Sequence, residues 1–422
     1  SNKLKETNKL EKVGGAYWLT GIVEDNLILN AHLPSYAEKL IGYTIHNNQI
    51  KMTEKVRLGK KDISELLKMA ESDRQKEYSQ SDSGNAEMLR DLFNNDIKYD
   101  HDSGVWKVWN GTYWKPDRKR QVYHFATKIA RKRQEQSLSL SDSREKTVLF
   151  NFGVQSENIH KIKSMLERAS GLEGLATISE DWDKDPLLFQ CSNGVVILNT
   201  QEFVKGKPEW MISQSSEVEY DLTAECPVFD KFILDIMDGD EELANYLLMC
   251  MGYSLSGLTD EQCMFLLVGD GSNGKSVLLE LMSAIYGDYY QHSRFDAFLK
   301  KYNNTSSHDL ARLHNARVVT ANESGISKHW DEERIKEITG GDNVTARHLY
   351  KSEFTFKSQI KLWCATNNLP KVDDFTLAFW RRIKVIPFNR KFEGDDRDTN
   401  MIDKLKGESS GILNRIIKGF KE

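Results

Sequence analysis

The chain has 422 residues, 39% hydrophobic and 29% charged, which is the composition of water-soluble globular domains. No apolar run approaches the roughly 20 residues of a membrane helix, and the opening SNKLKETNKLEKVGG lacks the apolar core of a signal peptide, so neither a membrane partner nor secretion is expected. Lysine plus arginine numbers 58 against 63 acids, a net charge of −5 that leaves nucleic-acid binding to a local basic groove or pore rather than to the whole surface.

At roughly 100–200 residues per domain, the length predicts two or three domains. The five cysteines are scattered and form no CxxC pair. That argues against a zinc site or a disulfide framework and for a reducing cytoplasm.

In chain order, residues 1–78 mix strand-like runs (AYWLTGIV, NLILNAHL) with a helical stretch near KKDISELLKMAESDRQKEY. The polar patch SQSDSGN at 79–85 reads as a linker. In VWKVWNGTYW, the Asn110-Gly111 pair between aromatic-rich runs predicts a hairpin whose two central residues take positive φ. Its tryptophans Trp106, Trp109 and Trp114 suit a small core of their own better than base stacking. From Lys115 to Arg133, eight lysines or arginines face one acid, Asp117, either as a solvated helix face or as an entrance for DNA. SLSLSDS at 137–143 reads as a loop, and residues 151–180 carry helical periodicity. The acids of DWDKD at 181–185 suggest either a metal pair or a structural turn, and NGVVIL at 193–198 reads as a turn and strand. Pro227 marks a boundary, after which apolar positions run helically from Phe229 to Leu255.

The pattern then becomes strand, loop, helix, repeated. CMFLLV (263–268), RVVTA (317–321) and IKLWCA (360–365) are continuous apolar runs suited to strands buried on both faces, which predicts a parallel α/β core. Straight after the first comes Gly269-Asp270-Gly271-Ser272-Asn273-Gly274-Lys275-Ser276, followed by the apolar helix that Val277 opens. This is GxxxxGK[ST] between a strand and a helix, the pattern of a loop that wraps ATP phosphates in backbone N–H groups at a helix N-terminus. In it, Lys275 would reach the β- and γ-phosphates and Ser276 would ligate Mg²⁺.

Further candidates follow. The second core strand ends Asn322-Glu323, where an acid at the carboxyl end can activate water and contact the metal through water. Many such motifs carry two acids, and Asn322 stands at the first position. Asn367, at the end of the third strand, can polarise the attacking water. In FWRRIKVIPF, Arg381 and Arg382 precede a β-rich run, where a ring ATPase presents an arginine to its neighbour's nucleotide. Arg382 is the better positional match.

These residues carry a family resemblance. GDGSNGKS, RVVTANES, KEITGGDNVTARHLYKSEFTF, KLWCATNNLP and FWRRIKVIPF, in this order, resemble a superfamily 3 helicase of the phage and plasmid primase–helicase type, related to the poxvirus primase–helicase. The resemblance implies an α/β fold with a P-loop, AAA+-like ATPase core at 226–392. A mainly helical collar-like domain at 86–225 would precede it, with a small α/β segment and linker at 1–85 and a tail or truncated lid at 393–422. It also implies a homo-oligomeric ring, usually a hexamer, that uses ATP and Mg²⁺ to move along single-stranded DNA at replication forks of a mobile element in the host cytoplasm. A hairpin from VTARHLYKSEFTF would project into the pore with Arg347, His348, Tyr350 and Lys351 as DNA contacts. Relatives usually carry an amino-terminal primase domain, which leaves open a primase domain or partner, but residues 1–90 hold no convincing set of paired metal-binding acids plus histidine, so primer synthesis is not expected of this chain. Two other readings are an ATP-switched DNA-binding ring or loader without unwinding, and a small-molecule P-loop phosphotransferase.

Overall fold

A computed structural model describes residues 78–299, 308–322, 330–347, 353–367 and 377–421. The strand-like and helical runs expected before residue 78 lie outside the described residues. The described chain forms two compact units, one of residues 78–98 with 118–176 and one of residues 99–117 with 177–421.

The first unit is helical: α1 (Asp82–Phe93), α2 (Gln121–Leu138), α3 (Ser143–Ser156) and α4 (Ile159–Ser170). Helix α1 begins inside the segment expected to be a linker. Ser81 caps it by accepting from the Gly84 N–H at 3.1 Å. Likewise α2 runs on to Leu138, and Asp142 caps α3 by accepting from Arg144 N and Glu145 N, both at 2.8 Å, which leaves only a short loop. Serine and aspartate serve turns and helix caps alike, because either way their oxygens satisfy free backbone N–H groups. Val122, Ala126, Ile129 and Ala130 form the buried stripe of α2 at helical spacing. Arg133, one of the eight cations of the basic stretch, is buried instead, donating to Asn85 Oδ1 (2.9 Å) and to the carbonyls of Tyr78 (3.2 Å) and Ser79 (2.9 Å).

The second unit is built on a parallel sheet of β8 (Met264–Val268), β9 (Tyr290–Arg294), β10 (Val318–Asn322), β13 (Lys361–Thr366) and β14 (Ile383–Pro387), in the order β14-β8-β13-β10-β9. Three of these strands were expected as apolar runs, and a fourth, β14, follows the two arginines. The fifth, YQHSR, is a polar edge strand without such a run. The α/β class with a parallel core therefore holds.

The long helical stretch after Pro227 is two helices, α5 (Pro227–Ile236) and α6 (Glu241–Leu255). Asp238 (φ 57°) and Gly239 (φ 80°) break them apart in left-handed conformations that no helix continues. Helix α7 (Lys275–Tyr286) follows β8. The last residues are not a loose tail: α11 (Met401–Gly407) and α12 (Ser409–Lys421) bury Leu405, Ile412, Leu413, Ile416 and Ile417 in the same apolar core as α5, α6 and α7. Three short helices complete the fold: α8 (His308–Ala311), α9 (Glu332–Thr339) and α10 (Leu377–Trp380).

Residues expected to belong with a separate helical domain pack here as well. The sheet β5-β6-β7 (Leu188–Cys191, Gly194–Ile197, Glu202–Val204) stacks Phe189 on Tyr289 with centroids 4.9 Å apart. Strands β1 (Ile97–Asp100), β2 (Val105–Trp109), β3 (Trp114–Pro116) and β4 (Ala176–Thr177) form a second small sheet. Its hairpin was foreseen but its turn differs. The connection has four residues, of which only Gly111 has positive φ, and Asn110 Oδ1 accepts from Thr112 N (2.9 Å) and Tyr113 N (2.8 Å). Trp114 is fully buried against Trp109 and Trp182 and donates to the Pro208 carbonyl at 3.0 Å, so it belongs to a core.

Asp183 of DWDKD is a buried hub. Its carboxylate accepts from Ser213 N (2.7 Å), Ser213 Oγ (2.6 Å), Gln214 N (3.3 Å) and Asn315 Nδ2 (3.0 Å). The structural-turn reading fits this; the oxygens are already engaged by N–H and O–H donors.

Candidate nucleotide site and its surroundings

The Gly269–Gly274 loop leaves the carboxyl end of β8 and enters α7 with Gly274 in a left-handed conformation, φ 88°. Two of its glycines are required by space. A Cβ on Gly274 would lie 2.5 Å from Ile236 Cγ2, and one on Gly269 would run into the Phe388 carbonyl. Gly271, by contrast, has nothing within 4 Å and faces open space. The loop is thus tight against the protein on one side and open on the other, at the N-terminus of an apolar helix where anions are favoured.

Lys275 is buried and folds back onto the loop, donating to the carbonyls of Gly269 and, at 3.4 Å, Asp270. Burial lowers its pKa, opposed by the Asp270 carboxylate. Ser276 is exposed on the first turn of α7, as a hydroxyl that could ligate Mg²⁺ must be.

The neighbouring strands bring the other candidates to this edge. In the sheet register Val268 pairs with Thr366, and Ala365 pairs with Asn322. Gly269 N donates to the Thr366 carbonyl at 3.3 Å, so Asn367, exposed at the next position, starts beside the loop. Asn322 is exposed one strand further on, and Glu323 directly after it lies outside the described residues.

Arg381 and Arg382 sit at the opposite end of the sheet. Ile383 pairs with Met264 and Pro387 with Val268, so the arginines precede the amino end of β14. A strand of this length separates them from the loop by about 17 Å, beyond the reach of an arginine side chain. Both donate to Gln262 Oε1 at 3.0 Å. Arg381 is exposed, whereas Arg382 is buried, its pKa lowered by burial and then by the like charge of Arg381.

Strands β11 (Asn343–Arg347) and β12 (Glu353–Lys357) pair antiparallel as the expected hairpin. Val344, Ala346, Phe354 and Phe356 fasten one face of it to the core. Arg347 is exposed at its far end opposite Glu353. His348, Tyr350 and Lys351 lie outside the described residues.

Asn273, expected with the rest of the loop to line the phosphates, ties the loop to its neighbours, and a segment that no local pattern in the sequence connects to the loop runs beside it. Asn273 is buried, and its Nδ2 donates to the carbonyls of Asp270 and Phe388 (3.3 Å to the latter). The segment Phe388–Phe392 is strapped along the loop, with Phe388 N donating to Val268 O and Phe392 N to Ser272 O, both at 2.7 Å. The strap carries two cations to the site: Lys391 Nζ lies 3.6 Å from Asp270, and Arg390 donates to Asp235 of α5 at 3.0 Å. The adjacent basic pair was the only signal in the sequence, and nothing local tied it to the loop.

Comparison with known proteins gives two matched regions. The family described as D5 N terminal like matches residues 86–238, and a family of unknown function matches residues 267–382. The chain is 29% identical over 313 residues to a protein named as a helicase from Acanthamoeba polyphaga mimivirus, covering 67% of this chain and 32% of that one. It is 24% identical over 270 residues to a protein named as a primase from African swine fever virus, covering 62% of this chain and 27% of that one. The chain therefore spans about a third of the length of these relatives. Among solved structures, the NrS-1 C-terminal region superposes with a TM-score of 0.46 at 13% identity, over 77% of this chain and 68% of that one.

Proposed function

We propose that this chain, which is similar to viral proteins named as helicases and primases, is the ATP-driven, superfamily 3 motor of a primase–helicase, acting on single-stranded DNA. One observation carries the reading. The Gly269–Ser276 loop, Asn367 and the end of β10 converge at one edge of the sheet, while the arginine pair stands at the other.

In this reading Lys275 leaves the Gly269 and Asp270 carbonyls for the β- and γ-phosphates, exchanging two loop acceptors for charged oxygens. The open space over Gly271 admits the phosphate chain, and the strap's Lys391 is available when Asp270 gives it up. Mg²⁺, held by Ser276 and through water by Glu323, would supply charge neutralisation between the phosphates. Asn367 orients the attacking water, and Glu323 takes its proton. An arginine some 17 Å from its own loop by strand rise can complete only a neighbour's site, which accounts for a ring. Exposure favours Arg381 over Arg382 for that reach. His348, Tyr350 and Lys351, with Arg347, are the proposed strand contacts.

The test is ATP hydrolysis with and without single-stranded DNA, alongside mass measurement and fork unwinding, on the parent chain and Lys275→Ala. DNA-stimulated turnover by an assembled ring, lost in Lys275→Ala, is expected. Turnover indifferent to DNA would point to phosphotransfer on a small molecule. Stimulated turnover without unwinding would leave a loader, and normal turnover in Lys275→Ala would remove the nucleotide site itself.

A further inference from the structure

The basic stretch at the start of α2 plays no part in the site just described. Residues 118–176 carry twelve lysines and arginines against six acids in a chain whose net charge is −5. On α2, Arg120, His124, Lys128 and Arg131 are all exposed, and their spacing puts them on one face, with Arg118 and Lys119 extending the line beyond the helix start. Four residues of helix rise about 6 Å, so the charges of Arg120, Lys128 and Arg131 lie along about 16 Å of one face, with the His124 ring between the first two.

Two observations make this more than a solvated face. The first is that the cations stand where the helix does not want them. Three of them crowd the N-terminus of α2, the positive end of its dipole, with no acid in the first turn. Arg120, the N-cap, has φ 56°, a left-handed conformation unfavourable for arginine, and its side chain makes no cap hydrogen bond. Local preference broken without a capping hydrogen bond or an acid to offset it is characteristic of functional surfaces.

The second is that the charges are held ready and not neutralised. Lys128 Nζ lies over the rings of Phe125 (5.2 Å) and Phe93 (5.8 Å), which fixes its stem while its head faces solvent. Arg120 lies over Tyr123 at 5.9 Å. Among the described residues, no carboxylate pairs with Arg118, Lys119, Arg120 or Lys128. Arg131 meets Glu157 only at 3.9 Å, between exposed side chains. A polyanion laid along the stripe would relieve the repulsion between these charges and place a phosphate at the helix N-terminus, where the dipole favours one.

We propose that this face of the helical unit binds the phosphate backbone of nucleic acid, independently of nucleotide and of the hairpin. It rests on the DNA-motor reading only in the choice of polyanion. Backbone binding of this kind gains affinity by releasing counterions and carries no sequence preference.

The experiment uses the full chain and the triple variant Arg118→Ala/Lys119→Ala/Lys128→Ala, and measures anisotropy of a labelled oligodeoxythymidylate over a series of salt concentrations. The altered side chains are exposed, so DNA-independent ATP hydrolysis and thermal unfolding should match the parent. For a single strand each lost phosphate contact flattens the slope of log K against log salt by about 0.7, so loss of three should flatten it by about 2 and weaken binding at least 10-fold at low salt. Equal affinity and equal slope in the two proteins would overturn the stripe and leave the motor reading standing. A parent that binds no oligonucleotide at any salt would overturn both. Binding to phosphatidylserine vesicles in place of DNA, lost in the variant, would assign the surface to lipid headgroups and overturn the nucleic-acid assignment.

Discussion

The three glycines of the GDGSNGKS loop look alike in the sequence and differ in their surroundings, so substituting each with alanine tests the site sharply. Gly274→Ala places a Cβ 2.5 Å from Ile236 Cγ2 at φ 88°. The left-handed conformation costs an alanine about 1–2 kcal/mol. Shifting a packed side chain costs about 1–3 kcal/mol more. A loss of about 2–5 kcal/mol follows, which for a unit of this size lowers the unfolding midpoint by about 4–20 °C. Gly271→Ala meets nothing within 4 Å and should stay within about 0.5 kcal/mol of the parent. Gly269→Ala would strike the Phe388 carbonyl and sit 2.6 Å from Asn273 Nδ2, so it should push the strap off the loop. The assay is thermal unfolding followed by circular dichroism, paired with binding of a fluorescent ATP analogue. Gly274→Ala and Gly269→Ala should lose both stability and affinity, and Gly271→Ala affinity alone, because its Cβ enters the space proposed for the phosphate chain. If Gly271→Ala destabilises as much as Gly274→Ala, the loop is not packed as described and the argument from space fails.

Two further outcomes are expected. Arg381→Ala subunits should bind ATP but turn it over on the order of 10³-fold more slowly, and mixing them with inactive Lys275→Ala subunits should restore part of the rate. In such mixed rings one interface pairs an intact loop with an intact arginine, so no recovery at any ratio, with subunit exchange verified, would refute the trans assignment; the same mixture made with Arg382→Ala decides between the two. Asp183→Ala should cost about 1–3 kcal/mol, because it leaves half-buried donors from Ser213, Gln214 and Asn315 without their acceptor. An unchanged urea midpoint in that variant would show that water satisfies those donors equally well.

The parts of this protein legible from residues alone are those that local physics dictates. Strands β8, β10 and β13 announce themselves because a strand buried on both faces must be apolar throughout. The phosphate loop does so because only glycine-rich backbone can curl that tightly into a helix start. Where a residue serves two local structures equally, its type does not decide between them. The serines and aspartates at 79–85 and 137–143 look like loops and cap helices instead, and Asn110 looks like a two-residue turn and nucleates a four-residue one.

What only the tertiary structure decided depends on which distant segments meet. The order β14-β8-β13-β10-β9 sets Asn367 beside the loop and the arginines a strand's length away. Polar YQHSR becomes a strand because it lies at the sheet edge beside β10. The strap from Phe388 to Phe392 joins the site through backbone hydrogen bonds, which leave no mark in side-chain pattern. Periodicity and capping are properties of neighbours along the chain; strand order, burial of Arg382 and closure of the loop by its strap come from packing between segments far apart in sequence, whose contacts no local window contains.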